Sequence, residues 1–134
     1  MINKLQIDGS KKFMLAGNAI TTLKSTKSGK HFTYRIKKKK TEDIWFVSVM
    51  YNYKSKSFNY LGCILPDGTF KYTKASQMKK TSKSFVAFNW AWNHIDNDSL
   101  EVWHEGRCGR CGRLLTEPDS IASGFGPVCR SLIN

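Results

Sequence analysis

Three cysteines and one histidine in the last third of the chain have the types and spacing to hold a metal ion. Cys108 and Cys111 are separated by two residues, a spacing at which a tight turn brings both sulfurs to one tetrahedral centre. Cys129 follows after seventeen residues, within the range for the second half of a zinc site, and His104 stands four positions before Cys108. The expected cofactor is one zinc ion held by His104, Cys108, Cys111 and Cys129. Such a shell is closed and leaves no place for an activated water, so the expected role of the metal is structural rather than catalytic. Cys63, the remaining cysteine, shares a strand face with Leu61 and Leu65 and reads as a small buried hydrophobe. An all-cysteine shell, with Cys63 in place of His104, is the alternative.

The residues between the ligands suit this task. Gly109 and Gly112 adjoin ligand positions where the backbone often needs positive φ. Gly124-Phe125-Gly126-Pro127 is a turn whose proline starts a short helix through Ile133. Cys129 then falls in the first turn, where free N–H groups and the helix dipole favour a thiolate. A knuckle on one side and a helix N-terminus on the other make a treble-clef-like arrangement.

The run Cys108-Gly109-Arg110-Cys111-Gly112-Arg113-Leu114-Leu115-Thr116-Glu117-Pro118-Asp119-Ser120-Ile121, followed by Gly124-Phe125-Gly126-Pro127-Val128-Cys129, resembles the pattern of a zinc-binding domain of unknown function common in phages and prophages. The resemblance is close over this C-terminal unit and loose over the rest of the chain. It implies a phage-type origin and a bound metal, with His104, Cys108, Cys111 and Cys129 at the family's apparent ligand positions.

The charge lies elsewhere. Residues 1–100 hold eighteen basic and six acidic side chains and residues 101–134 four of each, so the whole net charge of +12 is outside the zinc unit. A basic surface of that density attracts polyanions, of which nucleic acid is the commonest in cells. Lys30, Arg35, Lys37, Lys38, Lys39, Lys40, Lys54, Lys56, Lys71 and Lys74 are the candidate contacts to nucleic acid or another partner. Aromatics such as Tyr34, Tyr53, Phe58, Tyr60 or Tyr72 are available to stack on exposed bases.

Two functions fit. One is a small phage-type protein that binds nucleic acid through a lysine- and aromatic-rich sheet. The other is a phage-encoded inhibitor, anti-CRISPR-like or similar, that binds a host nucleic-acid-processing or defence protein. Neither is an enzyme, since His31 and His94 are isolated and Asp96, Asp98, Glu101 and Glu105 read as ordinary charge partners. Seventeen aromatics among 40% hydrophobic residues argue against a disordered chain. No apolar run approaches the ~20 residues of a membrane span, and the N-terminus lacks the features of a secretory signal. The expected location is therefore the cytoplasm, that of the host cell if phage-encoded, where a CxxC means metal or redox chemistry rather than a disulfide.

The elements that must position these residues are mostly strands. Residues 1–12 read as a loose arm. Ala19 to Ser25, His31 to Lys37, Ile44 to Tyr51, Phe58 to Leu65 and Thr69 to Thr73 are the expected strands, separated by polar, glycine-containing turns. Phe32, Tyr34 and Ile36 alternate with His31, Thr33, Arg35 and Lys37, whereas Ile44 to Tyr51 is apolar on both alternations and reads as a central strand covered on both faces. Lys37 to Lys40 read as an exposed basic hairpin tip. Ser82 or Ser84 caps a helix with Phe85, Phe88 and Trp92 on one stripe, widened by Trp90 and Ala91. The expected fold is α+β: a five-stranded antiparallel meander with one packed helix in residues 1–97, then a zinc-binding module in residues 98–134.

Overall fold

Alternating apolar and polar side chains become the strands β1 (Asn18–Ser25), β2 (His31–Lys38), β3 (Trp45–Asn52) and β4 (Ser57–Ile64), with a short β5 (Phe70–Tyr72) after them. The computed structural model describes residues 3–133, and of Ile7 and Asp8 only the backbone. Turn chemistry sets the hairpins. Gly29 takes φ +73° after β1, and Gly68 takes φ +89° after Pro66-Asp67, where Asp67 Oδ1 accepts the Thr69 N–H at 2.9 Å.

A sixth strand, β6 (Leu100–His104), lies in the segment assigned from sequence to the zinc module. It pairs antiparallel with β1, from Thr21 opposite His104 to Ser25 opposite Leu100. The sheet order is β5-β4-β3-β2-β1-β6, so the expected five-stranded meander is the larger part of a six-stranded antiparallel sheet that continues past residue 97. Leu100, Val102 and His104 are buried while Glu101 and Trp103 are half-buried, the period of a strand with one face on the core.

One face of the sheet carries that core. Helix α2 (Lys83–Asn93), capped by Ser82, whose hydroxyl accepts the Phe85 N–H, lays Phe85, Phe88, Ala91 and Trp92 on it. Phe88 meets Tyr34 edge-on at 4.9 Å between ring centroids and Phe70 at 4.8 Å. The polar ends of the large rings find partners: Tyr34 Oη donates to the Ser84 carbonyl at 2.7 Å and Trp92 Nε1 to the Gly68 carbonyl at 2.8 Å. Trp90, expected in the buried stripe, instead points outward and is 41% exposed, because it follows Phe88 by two residues, roughly 200° around the helix.

Helix α1 (Ile7–Met14) occupies much of the expected loose arm, whose first two residues lie outside the described ones. Eight residues long, with Gly9 inside it and no side-chain cap at Gln6, it has little intrinsic helicity. It is held by tertiary packing through Phe13 and Met14, both fully buried, and by the Leu15 carbonyl, which accepts Trp45 Nε1–H at 2.9 Å. Among the described residues, no helix covers the other face of the sheet. β3 is central, as expected, but its second face is only partly buried: Ser48 is buried while Phe46 is 40% exposed.

Candidate functional site

The Cys108–Cys111 turn closes a small hairpin. Arg107 bridges Leu114, the Cys108 N–H donates to the Arg113 carbonyl, and Gly112, at φ +79°, donates to the Cys108 carbonyl. Cys129 comes from the other side, in the first turn of helix α4 (Pro127–Leu132), which Pro127 opens as expected. The ligand atoms of Cys108, Cys111 and Cys129 all lie within 4.8 Å of one another. These three cysteines are positioned to hold a metal ion. Cys108 and Cys129 are buried and Cys111 is exposed.

The cluster's electrostatics favour a thiolate at Cys108 and oppose one at Cys129, against the expectation from its place at a helix N-terminus. Burial pushes the Cys108 thiol up, but the backbone N–H groups of Cys111, Gly126 and Arg110 oppose it and bring it down to about 7. Burial also raises the Cys129 thiol, with the Arg110 guanidinium, 3.5 Å from its sulfur, acting against that. A sulfur already poised to lose its proton near neutral pH fits a metal ligand, since binding requires the deprotonated form.

Phe13 ties this unit to the sheet. A Cβ on Gly109 would come within 2.7 Å of the Phe13 ring and one on Gly124 within 2.6 Å, so the two glycines form a slot that only they leave open. Gly124 ends helix α3 (Pro118–Ser123) at φ +80°, and its carbonyl accepts the Gly109 N–H at 3.0 Å. The conformational freedom expected at Gly109 is thus a need for close approach; positive φ falls to Gly112.

His104 does not join the sulfurs. It is fully buried, Nδ1 accepts the Gly106 N–H at 2.9 Å, and Nε2–H donates to the Ile121 carbonyl at 2.5 Å. Both ring nitrogens are committed to backbone, and burial lowers the imidazole pKa, which keeps it neutral. The ring is a strut between β6 and α3. Cys63 is no closer as a fourth donor: β4 lies four strands from β6, about 19 Å at the usual strand spacing. Among the described residues, no further histidine, cysteine or carboxylate completes the cluster.

The uncovered face of the sheet has a different chemistry. Register places Phe58 opposite Met50, Tyr60 opposite Ser48 beside Arg35, Phe46 between Lys37 and Cys63, and Trp103 opposite Thr22. The Arg35 guanidinium lies over the Phe58 ring at 4.3 Å, and Phe46 meets Tyr60 edge-on at 6.1 Å. Lys71 of β5 extends the same row past Cys63, and Tyr53 at the β3–β4 tip joins Thr22, Lys24, His31, Thr33, Trp103 and Glu105 around a shallow hollow.

Of the aromatics expected to be available for stacking, Phe58, Tyr60 and Tyr53 are accessible here. Tyr34 is in the core, and Tyr72 packs edge-on against Phe85 with its hydroxyl donating to Met78. Phe46 and Trp103 were not among those expected, although each stands opposite core residues in its strand's alternation. The ten candidate cations do not form one patch. Arg35, Lys37 and Lys71 share the open face, Lys54 and Lys56 lie at the β3–β4 tip, and Lys30 borders a groove on the covered side. Lys74 is exposed beyond β5. Lys38, Lys39 and Lys40 are at the β2–β3 turn, which is not uniformly free: Asp43 pairs with Lys38 at 3.4 Å and Glu42 with Lys39 at 3.2 Å.

The fold and the cluster define a small α+β protein with three C-terminal cysteines positioned to hold a metal ion. Residues 100–134, the segment from β6 through α4, match a family described as Family of unknown function (DUF6011). No curated protein and no solved structure matches the chain. No helix among the described residues is long and apolar enough to cross a membrane.

Proposed function

We propose that this chain is a small nucleic-acid-binding protein that receives single-stranded segments on the open face of its sheet, with a structural zinc ion at the cysteine cluster. The observation that carries the reading is the set of Phe46, which is exposed, and Phe58, Tyr60 and Trp103, which are half-buried, interleaved with Arg35, Lys37 and Lys71 on a face that no helix covers among the described residues. Aromatic faces accept any base and the cations neutralise phosphate, so the combination favours affinity over sequence preference.

Three thiolates suit zinc among the common soft-ligand metals, and a Cys108–Cys111 hairpin facing the first turn of α4 supports a treble-clef-like reading of the site. In this reading Cys108, Cys111 and Cys129 hold the ion and, with His104 committed to backbone, its fourth position falls to water or a donor from outside the cluster rather than to the closed shell expected from sequence. No general base stands among the cluster's donors, so the protein works by binding rather than catalysis, and the cytoplasm, of a host cell given the phage-like motif, is where it acts. The zinc would supply rigidity, fixing α3 and α4 against Phe13 and β6. The test is anisotropy of a labelled single-stranded oligonucleotide, with and without the duplex as competitor. Salt-dependent binding lost in Phe46→Ala with Trp103→Ala supports the reading. An absence of binding at low salt, with capture of a nuclease-resistant host protein by the same face, would replace it with the inhibitor function.

A further inference from the structure

On the covered side of the sheet a groove of about 530 Å³ opens between α2 and the β1–β2 hairpin. Its floor is Leu23, Phe32 and Leu100, and its outer wall is Val86 and Trp90, one turn apart on α2 and 53% and 41% exposed. Three lysines border it: Lys27 and Lys30 from the hairpin and Lys83 from the first turn of α2. None of the three makes an ion pair among the described residues, and no carboxylate lines the groove. The first turn of α2 also carries no acidic residue to balance the positive end of its dipole.

We propose that this groove is a docking site for a short amphipathic helix with acidic flanks, presented by a partner protein. An apolar trough alone would accept many things. The one-sided basic border selects an acid-bearing segment, and a wall formed by an eleven-residue helix, about 16 Å long, matches two to three turns of a helix packed alongside it. Apolar anchors at i, i+3, i+4 and i+7 would enter between Trp90 and Phe32 while glutamates meet Lys27, Lys30 and Lys83. Trp90 is the expected centre of the contact: large, already half-desolvated, and stacked on His94 at 4.7 Å so that little side-chain freedom remains to be lost. The site is independent of the nucleic-acid reading, because it lies on the opposite face of the sheet from Phe46 and Trp103. Occupied together, the two faces would make the protein an adaptor between nucleic acid and an acidic protein segment.

The probe is a synthetic helix of about fourteen residues with Leu at i, i+3, i+4 and i+7 and Glu elsewhere, followed by anisotropy and by amide chemical shifts on the zinc-loaded protein. Saturable binding is expected, with shifts at Val86, Trp90 and Phe32. Trp90→Ala and, independently, Val86→Asp should weaken it about tenfold or more with the melting temperature held. The charge-reversed Lys27→Glu, Lys30→Glu, Lys83→Glu variant should lose the acidic peptide and gain its Lys-for-Glu counterpart. Four results overturn the proposal: no binding; equal binding of acidic and basic peptides; displacement by a single-stranded oligonucleotide, which would make the groove part of the nucleic-acid surface; or a concentration-dependent dimer that Val86→Asp breaks and the peptide does not, which would make a second copy the occupant.

Discussion

The two faces of this sheet are supplied by the same strands and are similarly rich in aromatics, yet they are built for different ends. On the covered face Tyr34 packs against Phe88 and Phe70 against Phe85 and Phe88, Ile36, Val47 and Val102 are fully buried, and the polar ends of Tyr34 and Trp92 are satisfied by backbone carbonyls. On the open face Phe46, Phe58, Tyr60 and Trp103 keep part of their surface in water and stand among Arg35, Lys37 and Lys71. An aromatic is committed to the core by what lands on it, and α2 and α1 land on one side only. Stability should therefore be sensitive to the first set and binding to the second, with the metal unit holding one end of both.

The largest expected effect comes from the metal. One equivalent of zinc should co-purify, and Cys108→Ser should lose it, removing on the order of 10 kcal/mol from the C-terminal unit. Hydrogen exchange should then report opening of residues 104–133 ahead of β2 and β3, and full metal retention in that variant would break the ligand assignment. Next is the covered face. Phe88→Ala, and Phe13→Ala in the slot between Gly109 and Gly124, should each cost about 3–5 kcal/mol by denaturant unfolding. A smaller effect separates the faces: Trp103→Ala should leave unfolding nearly unchanged and lose about 1–3 kcal/mol of single-strand binding. Smaller again, Lys37→Gln and Lys40→Gln should each reduce the slope of log affinity against log salt by roughly 0.7. Lys38→Gln and Lys39→Gln should reduce it less, because Asp43 and Glu42 already hold those ammonium groups.

His104 adds a pH test. Its folded pKa lies below the ordinary 6.5, so its neutral form contributes stability above that value, and the contribution is lost as pH falls below it. With zinc in excess, so that thiolate protonation is common to both proteins, His104→Gln should flatten the loss of stability below pH 6.5 relative to the parent. It should also retain the metal. Loss of zinc from this variant, with the fold intact, would restore the histidine as a ligand.

Much of this was legible in the sequence. Strict alternation in His31 to Lys37 and the Pro66-Asp67-Gly68 turn located a strand, its buried face and a hairpin turn, and the CxxC with Gly126-Pro127 and Cys129 located the cluster and its helix. What escaped was set by long-range partners. β6 is only five residues and adjoins the knuckle, so on sequence it falls within the zinc-binding module of residues 98–134, although its meaning lies in pairing with β1 about eighty residues earlier. α1 has no stripe long enough to announce itself, and its Phe13 matters because two glycines ninety-six and one hundred and eleven residues later make room for it. His104 had the right spacing for a ligand, but spacing along the chain does not say where lone pairs go; Gly106 and Ile121 take both nitrogens. Trp103 and Phe46 stayed hidden among aromatics because only the position of α2 tells a core ring from an accessible one.

The central claim is that the open face, and not the covered face or the cysteine unit, binds single-stranded nucleic acid. The most direct measurement is the salt-dependent affinity of a labelled single-stranded oligonucleotide for the zinc-loaded protein and for its Phe46→Ala, Phe58→Ala, Trp103→Ala triple variant, with the melting temperatures of both in hand. Parent binding with a strong salt slope, weakened at least a hundredfold in a variant that melts with the parent, is the expected result. Equal binding by the two proteins, or none by either at low salt, would contradict it.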